Sequence, residues 1–145
     1  AQQAGLPLEV YSLARVIASE AGSGTIEEQV GIAWTTVNIA KSEGKSIFQL
    51  VSRDGRFYRQ IGANPPVSTR QDPYERDAQV ARAVLTGAYP DPTNGAIMFF
   101  DPKSQDAQYA KGTTTYSASQ IYERRKAQGL EISARIDDTV FFRNV

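Results

Sequence analysis

Residues 8–43 read LEVYSLARVIASEAGSGTIEEQVGIAWTTVNIAKSE, and this stretch decides the fold. From Leu8 to Ala21, Leu13, Ile17 and Ala21 fall on one helical stripe with Val10, Ala14 and Ala18 beside it, which predicts a first helix. Gly22-Ser23-Gly24 ends it. Thr25-Ile26-Glu27-Glu28 has the T-x-x-E form of a capping box, in which hydroxyl and carboxylate each accept from the other residue's backbone N–H. Ile26, Val30, Ala33, Val37 and Ala40 then recur at three- and four-residue spacing and predict a second helix that stops before Gly44. Its β-branched residues Thr35, Thr36, Val37 and Ile39 lower its intrinsic propensity, so burial has to hold it.

Outward from this pair, Ser46 to Val51 reads as a short third helix. Ser52 to Gln71 is irregular, with Gly55, Gly62, Asn64, the pair Pro65-Pro66 and the arginines Arg53, Arg56, Arg59 and Arg70. A loop of that length in a small domain is usually functional or mobile. Asp72-Pro73-Tyr74-Glu75 places a cap, a proline at the first helical position and an acid in the first turn. The helix it starts carries Ala78, Ala81, Val84 and Leu85 and closes at Gly87. Pro90 to Gly95 is turn chemistry, and Ala96 to Phe100 a short apolar strand. A last helix is expected from Ser117, with Gln120 completing a second box, to Gly129. Strands at Ile132–Ile136 and Thr139–Phe142 flank the turn-like Asp137-Asp138. Five helices with three short strands predict an α+β domain that is mainly helical, and 145 residues suit one domain spanning 1–145.

Composition removes whole chemistries. With 16 Lys+Arg against 16 Asp+Glu, the formal net charge is zero, so a strongly basic nucleic-acid binder is not expected. The chain has no Cys, which excludes disulfides, thiol nucleophiles, Fe–S clusters and Cys-ligated zinc. It has no His, which removes imidazole-based triads and the usual zinc sites. Proton chemistry falls to carboxylates, Lys or Tyr, and neither a cofactor nor a metal is expected, although carboxylates alone could hold an ion. No run of about 18 apolar residues is present, so no membrane span is expected. Ala1-Gln2-Gln3-Ala4 reads equally as a mature end left after signal cleavage or as a piece of a longer chain.

Glu20 stands out. Its neighbours three and four back are Ile17 and Val16, and no Lys or Arg lies within four residues. Apolar surroundings and the negative end of the helix dipole both favour a protonated carboxyl, as a general acid requires. The competing reading is a solvated helix-end residue, or one that caps Ser23 or Thr25.

Leu13-Ala14-Arg15-Val16-Ile17-Ala18-Ser19-Glu20-Ala21, then Glu28-Gln29-Val30-Gly31-Ile32-Ala33 and Val37-Asn38, resemble the opening of the SleB-type cell wall hydrolases. That family includes spore cortex-lytic enzymes and phage and bacterial muralytic domains. The resemblance continues in Ala83-Val84-Leu85-Thr86-Gly87, in Asp91-Pro92-Thr93-Asn94-Gly95-Ala96 and in Phe99-Phe100-Asp101-Pro102. It closes with Ile136-Asp137-Asp138-Thr139-Val140-Phe141-Phe142-Arg143. The blocks follow the family's order over nearly the whole chain. There are departures. Glu28 replaces a Gly, Ile39 an Arg, Phe100-Asp101 a Tyr-Asn pair and Thr139 a His.

The resemblance implies a lysozyme-like fold with a small antiparallel β element beside a groove, peptidoglycan as partner, and Glu20 as catalytic residue. It implies cleavage between N-acetylmuramic acid and N-acetylglucosamine with a 1,6-anhydro product, in which one carboxyl serves as acid and then base. Ordinary glycosidases use two carboxyls, about 5 Å or about 6.5–9.5 Å apart. Asp54 and Asp101 are the candidates for a second, and both read more simply as turn residues, Asp101 also as a substrate contact. Phe57 and Tyr58 are expected either to stack on sugar rings at the groove wall or to plug the long loop onto the core. Phe99 and Phe100 alternate on a strand, one toward the core and one toward the groove. Trp34 is expected in the core. An extracytoplasmic or virion-associated site of action follows, with the chain acting alone or within a larger assembly. The alternative is a peptidoglycan-binding or phage-tail module on the same fold that has lost catalysis.

Overall fold

The structure is a computed structural model that describes residues 6–21, 24–51 and 75–145. Helix α1 (Leu8–Ala21) buries Val10 to Ala14, Val16 and Ile17, far more than one stripe. A helix buried around most of its circumference belongs at the centre. It packs against α2 (Ile26–Glu43), α3 (Ile47–Val51) and α4 (Glu75–Leu85).

The capping box that opens α2 is formed. Glu28 N donates to Thr25 Oγ1 at 3.1 Å, and Thr25 N donates to Glu28 Oε1 at 3.2 Å. Gly44, at φ 65°, closes the helix in the left-handed region, where a side chain would be strained. The threonines expected to weaken α2 are fully buried, and their hydroxyls donate to the carbonyls of Gly31 and Ile32 at 2.9 Å. Short α3 is capped from a distance. Ile47 N and Phe48 N donate to the two carboxylate oxygens of Glu9 on α1, at 2.8 and 2.9 Å.

Three strands, β1 (Met98–Phe100), β2 (Leu130–Ile136) and β3 (Thr139–Asn144), form an antiparallel sheet in the order β1-β3-β2. Phe99 pairs with Phe141, and the β2–β3 turn at Asp137-Asp138 puts Asp137 at φ 51°. The sheet meets α2 at Gly31, where an added Cβ would stand 2.6 Å from Cζ of the fully buried Phe141. The main core joins α1, α2, α3 and α4 to Phe141, and a smaller cluster gathers Leu130, Val140 and Phe142 on the other face.

Asp91 clasps α2 to β1. Its carboxylate accepts from Asn38 Nδ2 at 3.1 Å, from the Thr93 amide and hydroxyl at 2.8 and 2.6 Å, and from Gly95 N at 3.1 Å. Asn38 Nδ2 also donates to the Ala96 carbonyl at 3.1 Å. Partial burial raises the Asp91 pKa, but these hydrogen bonds, first those from the Thr93 and Asn38 side chains, outweigh it and hold the carboxyl below its ordinary range.

The mainly helical α+β architecture is as expected, but β1 begins at Met98, two residues later than expected, and other elements also differ. A sixth described helix, α5 (Pro102–Ala110), follows β1 where only a turn was anticipated. It buries no residue, so it has no apolar period to read. The last helix, α6 (Ala118–Ala127), carries its Ser117–Gln120 box, and β2 and β3 each run two residues further than expected, β2 from Leu130 and β3 to Asn144. Trp34 is partly buried against the core, with Nε1 donating to the Tyr89 carbonyl at 2.8 Å.

Candidate active site

A cleft of about 1090 Å³ opens between the C-terminal end of α1 and the sheet. One wall is Ser19, Glu20 and Ala21 with Gly24, and Glu28 and Ile32 of α2 continue it. The other wall is Phe99, Phe100 and Asp101, then Ser104, Gln105 and Gln108 of α5, with Thr114 beyond. Asp138 and Thr139 of the hairpin close one end. Glu20, Phe99, Phe100 and Asp101 therefore come together from opposite sides. Phe57, Tyr58, Asp54 and the arginines of the long loop lie outside the described residues.

Glu20 is half-buried in the last turn of α1, above Val16 and Ile17, which are fully buried. That last turn holds no basic residue. Phe99 and Phe100 both border the cleft, because β1 is an edge strand. Phe99 leans on Phe141 with ring centroids 6.1 Å apart, and Phe100 meets Tyr122 edge-on at 5.2 Å. The division into one core ring and one groove ring is replaced by two rings, each anchored in its own cluster. Tyr122 is thus a packing residue, and Tyr116 lies under the Arg124 guanidinium, 4.3 Å from its ring centroid.

Glu28, read from the sequence as a capping residue and a departure from the family pattern but not as a site residue, also lines the cleft. It is only 9% exposed. Beyond the local bond to Thr25 N, its Oε2 accepts from Asp138 N at 3.1 Å and from Thr139 Oγ1 at 2.9 Å. Thr25 Oγ1 donates in turn to Asp137 Oδ2 at 2.6 Å, so the start of α2 is bolted to the β2–β3 turn. Two positions that depart from the family pattern, Glu28 and Thr139, are therefore partners. The T-x-x-E motif signalled the local half of this arrangement; no local signal could give a contact 111 residues away.

Asp101 caps α5, its Oδ1 accepting from Lys103 N and Ser104 N at 2.9 and 3.1 Å, with Pro102 at the first helical position. Lys103 Nζ lies 3.4 Å from Asp138 Oδ1 across the end of the cleft, and this exposed pair is worth little to stability. Among the described lining residues, the charged groups are Glu20, Glu28, Asp101 and Asp138. Among the described residues, no group of three or more His, Cys, Asp or Glu could hold a metal ion.

This helical domain with a cleft beside a small sheet has the lysozyme-like, α+β fold of the SleB catalytic domains. The catalytic domain of the germination-specific lytic transglycosylase SleB from Bacillus anthracis matches it with a TM-score of 0.61, at 16% identity, over 99% of this chain and 100% of that one. The catalytic domain of the Bacillus cereus SleB protein matches with a TM-score of 0.63, at 15% identity, over 98% of this chain and 95% of that one. No protein-family model matches the sequence, and no curated protein does.

Proposed function

We propose that the chain is a peptidoglycan lytic transglycosylase, a single muralytic domain over 1–145, with Glu20 as its acid and base. The observation that carries this is Glu20 in the cleft wall, at the end of the central helix, in a fold shared with two SleB catalytic domains. One of these is described as a lytic transglycosylase. The apolar turn beneath Glu20 and the helix's negative end favour the protonated form that an acid needs.

Glu20 donates its proton to the glycosidic oxygen as the bond from the muramoyl anomeric carbon breaks, releasing the N-acetylglucosamine end. The resulting carboxylate takes the proton of the muramoyl C6 hydroxyl. That oxygen attacks the anomeric carbon and closes the 1,6-anhydro ring. No water is consumed, and the proton on Glu20 is restored. Commitments of the other carboxyls among the described cleft residues support a single-acid mechanism. Glu28 accepts three hydrogen bonds, Asp101 caps a helix and Asp138 is paired with Lys103. Phe99 and Phe100 offer ring faces and edges to sugar, and Phe57 and Tyr58 are proposed to add to them. The substrate places the site of action outside the cytoplasm or on a virion. No helix among the described residues is long and apolar enough to cross a membrane.

The test is digestion of purified peptidoglycan with mass spectrometry of the products. Wild type releases muropeptides one water lighter than hydrolytic ones, and Glu20→Gln releases none while melting near wild type. Full activity in Glu20→Gln would sink the assignment. Pull-down on insoluble wall with no release by wild type would favour the binding-module reading instead.

A further inference from the structure

We infer that Gln29 and Asp77 form a positioning relay that fixes the backbone carrying Glu20, an inference that rests on the reading of Glu20 as the acid. Gln29 on α2 is 0% exposed and Asp77 on α4 is 1% exposed, both between the packed helices. Gln29 Nε2 donates to Asp77 Oδ1 at 3.1 Å and to the Ala21 carbonyl at 3.1 Å. Both amide hydrogens are spent. Both neighbours are acceptors, so only the nitrogen end of the amide can face them. The Gln29 carbonyl oxygen is left buried without a hydrogen-bond partner among the described residues.

The Ala21 carbonyl is the relay's target. It ends α1, one residue after Glu20, and a last-turn carbonyl has no partner inside its own helix. Its partners are Gly24 N at 2.9 Å, from the following turn, and Gln29. Through Gln29 the final turn of α1 is tied to α2, and through Asp77 to α4. Glu20 must meet a glycosidic oxygen held by the opposite wall, and a misplacement of about 1 Å can lower turnover about 100-fold. An apolar side chain of equal size would pack between these helices but would leave the last turn of α1 free to move. Gln29 is a positioning residue in this scheme, since it does not line the cleft.

The experiment compares wild type, Gln29→Met, Glu20→Gln and the double variant on soluble peptidoglycan fragments, with melting curves for each. Gln29→Met is expected to lower kcat about 10- to 100-fold with KM within about twofold. The double variant is expected to release nothing, like Glu20→Gln alone, so the relay is read from Gln29→Met against wild type. Thr36→Val, which removes another buried hydroxyl of α2, is the control: it lowers melting temperature but leaves kcat unchanged. If Gln29→Met fails to fold, Gln29→Asn keeps an amide but shortens its reach by one methylene, and the same kcat loss at constant KM is expected. Wild-type kcat in the folded Gln29 variants, with Glu20→Gln inactive, overturns the relay alone. Full activity in Glu20→Gln overturns the relay together with the functional reading beneath it.

Discussion

Glu28 divides its carboxylate between partners at opposite ends of the sequence, Thr25 on one side and Asp138 with Thr139 on the other. Glu28 and Thr139, two positions at which the chain departs from the pattern it resembles, are thus hydrogen-bond partners of one another. The remaining departures also have structural work. Ile39 is buried in the main core, and Asp101 starts α5. Thr139→Val removes a donor to a carboxylate that is almost fully buried and is expected to cost about 1.5–3 kcal/mol. In a Glu28→Gly background the same change should cost almost nothing. A urea-unfolding double-mutant cycle measures the difference, and strict additivity would show that the pair is not coupled. The apolar neighbours Val16 and Ile17 drew attention to Glu20, but it became the candidate acid only through the resemblance of the ordered sequence blocks to the SleB-type family. The cleft around it was not legible, because Glu28, Ser104, Gln105 and Asp138 reach it by contacts that no local pattern records.

At the scale of elements, α1 to α4, α6 and the strands were readable because each carries an apolar period, a cap or a turn dipeptide. Helix α5 carries only its cap, Asp101-Pro102, and the eye set for buried stripes passes over it. The α2–sheet contact has the opposite character, being set by a missing side chain. Gly31→Ala would gain up to about 1 kcal/mol in helix propensity. It would also force the Phe141 ring, buried on every side, away from its 2.6 Å contact, and overpacking of this kind costs about 1–3 kcal/mol. The clash should win, so chemical denaturation is expected to show Gly31→Ala as the less stable protein. The Asp91 clasp predicts a pH dependence. Its folded pKa lies below the ordinary 3.8, so its stabilisation is complete above that value and is lost as pH falls through the folded pKa. Asp91→Asn should therefore be less stable than wild type at pH 6, with the gap narrowing toward pH 3. Melting curves across that range check it; a constant gap would contradict it.

Across the whole molecule, the missing histidines become an experimental advantage. No side chain with an ordinary pKa titrates between about pH 5 and 8 in this chain. Any limb of the activity profile found there would belong to a shifted carboxyl rather than to an imidazole, and a limb that Glu20→Asp leaves in place would count against Glu20 as its source. The sheet order β1-β3-β2 has a further consequence, in the time domain of synthesis. The middle strand is the one the ribosome makes after both of its partners, and Phe141, which fills the space left by Gly31, arrives with it. A nascent chain that has emerged only as far as β2 already holds Glu20, yet β1 and β2 have no strand to join them and α2 has no ring to close on. The cleft is therefore completed late, and a ribosome-bound or prematurely terminated chain carries Glu20, the proposed acid, without the hairpin side of the cleft.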